Sequence, residues 1–198
     1  HRIAKEIRSM AHKIGGLLLA AGMSKRAGPI NKLLAPINGT PMIVTALDRL
    51  LNSKCDPVIA VTGHEALRIE QALIQSNVQF VHNPDFASGM ASSLRCGVLA
   101  MPEGVDAILI TLADMPHIKP STYEALINGY APEKGHHICV PIEANKHGNP
   151  VLIGRNYFAQ VKHLQGDKGG KPIIEKNPEA VLVTPVDDPG IHQDHDTV

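Results

Sequence analysis

Apolar residues along this chain fall into short unbroken runs separated by stretches of helical period, and that rhythm predicts the fold before any chemistry is considered. Residues 16–21, 57–62, 78–81 and 107–112 read as strands. The last is apolar except for Thr111, the pattern of a strand buried on both faces. Between them, 41–51 reads as a helix with Pro41 in its first turn. Residues 65–75 and 88–100 follow as helices, the latter with Gly97 inside it, and another helix is expected near 156–164. The order βαβαβαβ implies parallel strands joined by right-handed crossovers. The expected fold is therefore α/β: a three-layer, doubly wound, mainly parallel sheet. Upstream, Ile3, Ile7, Met10 and Ile14 recur at helical spacing among charged residues, which predicts an entry helix or linker over 1–13 ahead of one domain over 14–198. The chain opens on His1, and two readings stand: a linker from a fused upstream domain, or a trimmed terminus.

Composition narrows the function more than the fold. With 198 residues, 43% hydrophobic and 3% aromatic, the chain suits one α/β domain with an aliphatic core. Lys plus Arg and Asp plus Glu each number 19, so the chain lacks the basic excess of a nucleic-acid binder, and any anion site must be local. No apolar run approaches the roughly 20 residues that span a bilayer, and no secretory signal is visible. Cys55, Cys96 and Cys139 form no C-x-x-C pair and read as reduced thiols of a cytoplasmic protein. His136, His137, His192 and His195 show no metal-ligand spacing and read as loop and surface residues.

The chemistry concentrates in residues 17–34, LLLAAGMSKRAGPINKLL. A buried strand runs into a turn at Gly22, where backbone amides can face a polyphosphate while Lys25, Arg26 and Lys32 neutralise it. The run is neither a P-loop, which needs Gly-Lys-Ser/Thr, nor a G-x-G-x-x-G fingerprint, since Gly22 and Gly28 lack the middle glycine. A second feature is Leu112-Ala113-Asp114-Met115-Pro116, which puts a carboxylate at the end of a buried strand. Asp114 there reads either as a Mg²⁺ ligand or as a cap for the next turn. At the end of the chain, Asp194 and Asp196 share a face if the segment is extended, or else form a solvated acidic tail. Residues 83–94, NPDFASGMASSL, open a helix with small residues, which would leave free amides beside a pocket wide enough for a base.

These segments resemble the sugar-nucleotidyltransferase-like family, whose opening signature L-A-A-G-x-S-x-R-x-G-x(n)-K-L-L falls on residues 19–34, and within it the molybdenum cofactor nucleotidyltransferases. The resemblance implies a nucleotide-diphospho-sugar transferase-like Rossmann variant. It implies nucleotide contacts at Leu19, Ala20, Ala21, Gly22, Ser24, Lys25, Arg26, Gly63, Gly89 and Ser93, with Lys32 at the α-phosphate. Asp114, Asp194 and Asp196 would hold Mg²⁺, and Lys25, Arg26, Lys32 and Asp114 would carry catalysis. Gly148, Asn149 and Pro150, with Gly166, Asp167 and Lys171, match the family's G-x-P-V-L and G-D-x-G-A-R segments on the acceptor side. The match has departures. Asn149 stands where molybdopterin enzymes often carry His, and Lys171 stands for Arg, which gives up a planar two-toothed phosphate grip. Val198 replaces the proline of the family's D-x-D-T-P tail. Ala21 leans toward cytidylyl transfer, because guanylyl relatives usually carry glycine there. The implied reaction passes a nucleotidyl group from a nucleoside triphosphate, CTP favoured, to a molybdopterin-type phosphate. The alternatives are a sugar or polyol phosphate acceptor, or a nucleotide-binding module without catalysis.

Overall fold

The computed structural model describes residues 11–23 and 31–195. Strand β1 (Ile14–Ala20) is buried at every position. Its side chains alternate between two cores, as the two-residue repeat of a strand requires. Leu18 and Ala20 join Met42, Leu47, Leu50 and Tyr123 on one face; Leu17 and Leu19 join Leu94, Val98 and Ile108 on the other. Two cores on opposite faces of one sheet give the three layers that the alternation predicts.

From β1 the chain passes through a two-stranded ribbon, β2 (Pro36–Ile37) and β3 (Thr40–Pro41), into helix α1 (Met42–Leu51). Pro41 therefore sits just ahead of the helix, pairing in the ribbon, and not in its first turn. Next come β4 (Val58–Thr62), α2 (Ala66–Ala72), β5 (Gln79–His82), α3 (Met90–Ala100) and β6 (Ala107–Leu112). Each lies where the apolar pattern puts it, with ends displaced by up to three residues. Helix α3 starts at Met90 because Phe86–Ser88 form a tighter turn and Gly89 adopts φ 115°. Beyond β6 come α4 (Pro120–Gly129), β7 (Ile138–Glu143), β8 (Lys146–His147), β9 (Val151–Gly154), α5 (Phe158–Lys162), α6 (Lys171–Lys176) and β10 (Val181–Pro185). The helix expected near 156–164 is the 3₁₀ turn Arg155–Tyr157 followed by the short α5.

The main sheet runs β10-β7-β9-β6-β1-β4-β5, with β8 added to β7. Its pairs are parallel except those of β9 with β6 and β7, and of β8 with β7. Seven residues separate β7 from β9, too few for the crossover that a parallel return needs, so this part of the sheet reverses direction. The predicted entry helix falls mostly on residues outside the described ones; residues 11–13 are not helical, and Ile14 opens β1.

Close packing of α3 on β1 depends on Gly97, where a Cβ would lie 2.4 Å from Leu17 Cδ1. No helix among the described residues is long and apolar enough to cross a membrane. The three cysteines are free thiols, with Cys55 and Cys139 in the core. Burial pushes Cys55 up to about 11 and Cys139 up to about 12, from 9.0. Both favour the neutral thiol in the folded state, so their contribution to stability is intact below pH 9 and declines as pH rises through 9 to 12. A thiol reagent at neutral pH should label half-buried Cys96 first, and Cys55 and Cys139 only with denaturant, while denaturation midpoints fall above pH 9. Equal labelling rates for all three would contradict this packing.

Candidate functional site

The β1–β6 register brings two chemically loaded segments together. Leu19 lies opposite Leu112, and the Ala113 N–H donates to the Leu19 carbonyl at 3.1 Å. Asp114 thus emerges beside the turn at Ala21 and Gly22, at the carboxyl ends of parallel strands where ligands of such sheets bind. Lys32 opens a 3₁₀ turn capped by buried Asn31, whose Oδ1 accepts the Leu33 N–H at 3.1 Å. From there Lys32 Nζ donates to Asp114 Oδ2 at 2.8 Å. The two side chains are only 15% and 24% exposed, so this pair is less screened than one on the open surface.

Around the pair lies a cavity of about 570 Å³. Leu19, Ala21, Gly22, Gly89, Ser93 and Asp194 line it, along with Asp167. Ala20 faces the opposite core instead. Gly63 packs beneath the cavity wall, where a Cβ would lie 2.6 Å from Phe86 Cβ and 2.9 Å from Ala21 Cβ. Phe86 itself is a lining residue that sequence reasoning passed over. Ser24, Lys25, Arg26, Gly28 and Asp196 lie outside the described residues.

The α3 wall is built by Asn83, 3% exposed, whose Nδ2 donates to Ser92 Oγ at 2.8 Å and Ser93 Oγ at 3.0 Å. The first amides of α3 are not free, contrary to the expectation from its small residues. Met90 N–H donates to Asp167 Oδ1 at 3.2 Å, Ala91 N–H to the Gly166 carbonyl at 3.1 Å, and Ser92 N–H to the Gly89 carbonyl at 3.3 Å.

Asp194 reaches the cavity on an extended tail that is not part of a strand. The next residue fixes it, since the His195 N–H donates to the Asp114 carbonyl at 2.8 Å. The tail's anchor is Asp188, 1% exposed. Its Oδ2 accepts from Lys119 N–H at 2.8 Å and Thr122 Oγ at 2.6 Å, and its Oδ1 from Gly190 N–H at 3.0 Å. Sequence reasoning missed this residue, although an Asp before Pro-Gly is a turn signal. Gly148 and Asn149 pack under the same tail, Asn149 N–H donating to the Ile191 carbonyl at 3.0 Å. With Pro150 they stand outside the cavity lining. Lys171 is 81% exposed and faces Glu175 at 3.6 Å, also outside that lining.

Among the described residues no group of three or more His, Cys, Asp or Glu side chains could hold a metal ion. Asp114 and Asp194 do offer two carboxylates to one cavity, and such hard oxygen donors fit Mg²⁺ or Mn²⁺.

The open, mainly parallel sheet with helices on both faces has the nucleotide-diphospho-sugar transferase-like α/β fold. The 4-diphosphocytidyl-2C-methyl-D-erythritol synthase of Anaerococcus prevotii shares it, with a TM-score of 0.73 at 14% identity over 94% of this chain and 92% of that one. The MobA-like NTP transferase domain model matches residues 16–181, and the chain belongs to that family of nucleotidyltransferases. It is 27% identical to nicotine blue oxidoreductase of Paenarthrobacter nicotinovorans over 93% of both chains, and 30% identical to the purine catabolism protein PucB of Bacillus subtilis over 81% of this chain and 80% of that one. It is 26% identical to the molybdenum cofactor cytidylyltransferase of Escherichia coli over 73% of this chain and 71% of that one. Rv0371c of Mycobacterium tuberculosis superposes with a TM-score of 0.82 at 27% identity over 95% of both chains. A further structure of that protein is a complex with manganese, with a TM-score of 0.74 at 26% identity over 88% of both chains.

Asp188→Ala leaves the Lys119 and Gly190 amides and the Thr122 hydroxyl without their acceptor. It should cost at least about 2 kcal/mol of stability. Asp194→Ala, at the exposed end of the tail, should change stability by less than about 0.5 kcal/mol. Denaturant titration of both variants checks the contrast, and equal midpoints would remove the anchoring role of Asp188.

Proposed function

We propose that the chain catalyses transfer of a nucleotidyl group from a nucleoside triphosphate to the terminal phosphate of a small-molecule acceptor, with release of pyrophosphate and dependence on Mg²⁺. The observation that carries this reading is the Lys32–Asp114 pair at 2.8 Å, set in a cavity that Asp194 also lines. An acceptor phosphate oxygen attacks the α-phosphorus, the bond from that phosphorus to the oxygen bridging the β-phosphate breaks, and its electron pair leaves with pyrophosphate. The nucleophile is already an anion, so no general base is required. Positioning and charge neutralisation supply the rate, and orientation alone is worth about 7–11 kcal/mol in favourable cases.

In this reading Lys32 neutralises the α-phosphate, while Lys25 and Arg26 stabilise the leaving pyrophosphate. Asp114, with Asp194 or Asp196, would hold Mg²⁺, which supplies Lewis-acid stabilisation of phosphate oxygens when bound. The manganese complex of Rv0371c supports a divalent ion in this fold. Residues 14–198 form the catalytic unit. CTP as donor and a molybdopterin-type acceptor are the favoured substrates, on Ala21 and on the likeness to the Escherichia coli cytidylyltransferase. The relatives carry varied names, among them an oxidoreductase, so the acceptor has to be tested directly.

Pyrophosphate release should be measured with CTP and with GTP, each with and without molybdopterin, and with a panel of sugar and polyol phosphates. Asp114→Ala and Lys32→Ala should each lower turnover at least about a hundredfold, comparable with the loss of one oxyanion donor. Near-native release by either variant would sink the assignment. Nucleotide binding without release under every acceptor would favour a binding module instead.

A further inference from the structure

Asp167 stands apart from the other carboxylates of the cavity. Asp114 lies at the end of β6, whereas Asp167 is seated on the first turn of α3, the helix that follows β5 on the other side of β1. Its backbone seat is tight. A Cβ on Gly89 would lie 2.6 Å from the Gly166 oxygen, and Gly89 holds φ 115°, a conformation that side chains other than glycine resist. With Ala91 N–H on the Gly166 carbonyl and Met90 N–H on Asp167 Oδ1, one oxygen of the carboxylate is committed to the helix and its orientation is set. Oδ2 is the atom that remains for a ligand.

The surroundings suit a flat heteroaromatic ring. Leu19, Phe86 and Met90 give the cavity apolar surface. Of the nearby hydroxyls, Ser88 Oγ donates to the Asp85 carbonyl at 2.8 Å, and Ser93 Oγ is held in place by the Asn83 Nδ2 donor at 3.0 Å. Lys32, the only described lysine or arginine in the lining, pairs with Asp114 on the β6 side. An ionised carboxylate accepts hydrogen bonds and donates none.

We infer that Asp167, which the resemblance sets on the acceptor side, instead reads the base of the bound nucleotide, its Oδ2 accepting a hydrogen bond from an exocyclic amino group. Amino-bearing bases are thereby selected over uracil. The inference rests on the nucleotide-binding reading above and adds a specificity residue to it. Cytosine and uracil make the cleanest comparison, since they share one ring and differ in a 4-amino or 4-oxo group. The carbonyl would face the carboxylate oxygen unpaired and repelled. A hydrogen bond to a charged group corresponds to at least about a tenfold preference for CTP over UTP.

The test is calorimetric binding of CTP and UTP, with Mg²⁺, to the wild-type chain and to Asp167→Asn and Asp167→Ala. Asparagine can keep an oxygen on Met90 N–H while presenting an NH₂ donor where Oδ2 stood. The expected result is a CTP preference of at least about tenfold in the wild type that falls to parity or below in Asp167→Asn, at an unchanged melting temperature, and is also lost in Asp167→Ala. Wild-type protein that binds UTP as tightly as CTP overturns the inference, whatever the variants do. A CTP preference that survives both substitutions overturns it too, and leaves Asp167 as a latch between the turn and α3. Binding of neither nucleotide by the wild type overturns this inference, and if GTP also fails to bind, the nucleotide reading falls with it.

Discussion

Burial of β1 on both faces constrains everything else in the molecule. Its seven residues have no solvent side, so the chain can turn only beyond Ala20, at the carboxyl edge of the sheet. Pairing with β4 on one flank and β6 on the other fixes the strand along its length. A shift of one residue would exchange Leu17 and Leu19 with Leu18 and Ala20 between the two cores, each tailored to its own side chains. Every large apolar side chain buried here contributes about 1.5–3 kcal/mol, so the register is strongly determined. Gly97 adds a steric condition, because α3 reaches its depth only where no Cβ meets Leu17. From that register follows the meeting of Ala21 with Asp114, and from the meeting follows the cavity.

The tail is held by different physics. Asp194 stands on residues that belong to no strand and bury little, and its place depends on polar contacts made upstream. Asp188 gathers two backbone amides and a hydroxyl in a nearly dry environment. Such a carboxylate is costly to bury unless its oxygens are satisfied, and here they are. His192 adds a contact on the hairpin between β7 and β8, with Nε2 2.9 Å from the Lys146 carbonyl and Nδ1 3.5 Å from Glu143. The site thus joins a rigid half, fixed by hydrophobic register, to a half fixed by hydrogen bonds.

Those two halves were unequally legible in the sequence. The strand 107–112 is recovered to the residue because its apolar run is bounded by Asp106 and by the turn at Ala113. Asp114 stands out as a charge at the end of an apolar run, and Lys32 as one of three cations that follow the first such run. Their ion pair does not, because 82 residues separate them and only the tertiary fold joins them. Strands β7 and β10 escaped notice: β7 carries Pro141, and β10 ends on Pro185 and pairs with a strand distant in sequence. Asp188 escaped because Asp-Asp-Pro-Gly has the composition of a surface turn, yet the tail folds it under α4. The occupied amides of Met90 and Ala91 were hidden as well, since their acceptors come from a turn more than seventy residues away.

Charge balance in the cavity ties these halves to the chemistry. Its described lining holds three carboxylates, Asp114, Asp167 and Asp194, against one ammonium, Lys32. Lys32 is already paired with Asp114, so the described lining on its own carries an excess of negative charge. The chain as a whole offers no remedy, because its 19 basic and 19 acidic side chains cancel and give no long-range attraction. Positive charge must therefore be supplied locally, and the sequence holds two sources of it. One is the pair Lys25 and Arg26 in the segment between β1 and Lys32; the other is a divalent cation, which Asp114 and Asp194 would hold. A cavity rich in acid is thus compatible with an anionic substrate only where such local positive charge offsets its carboxylates.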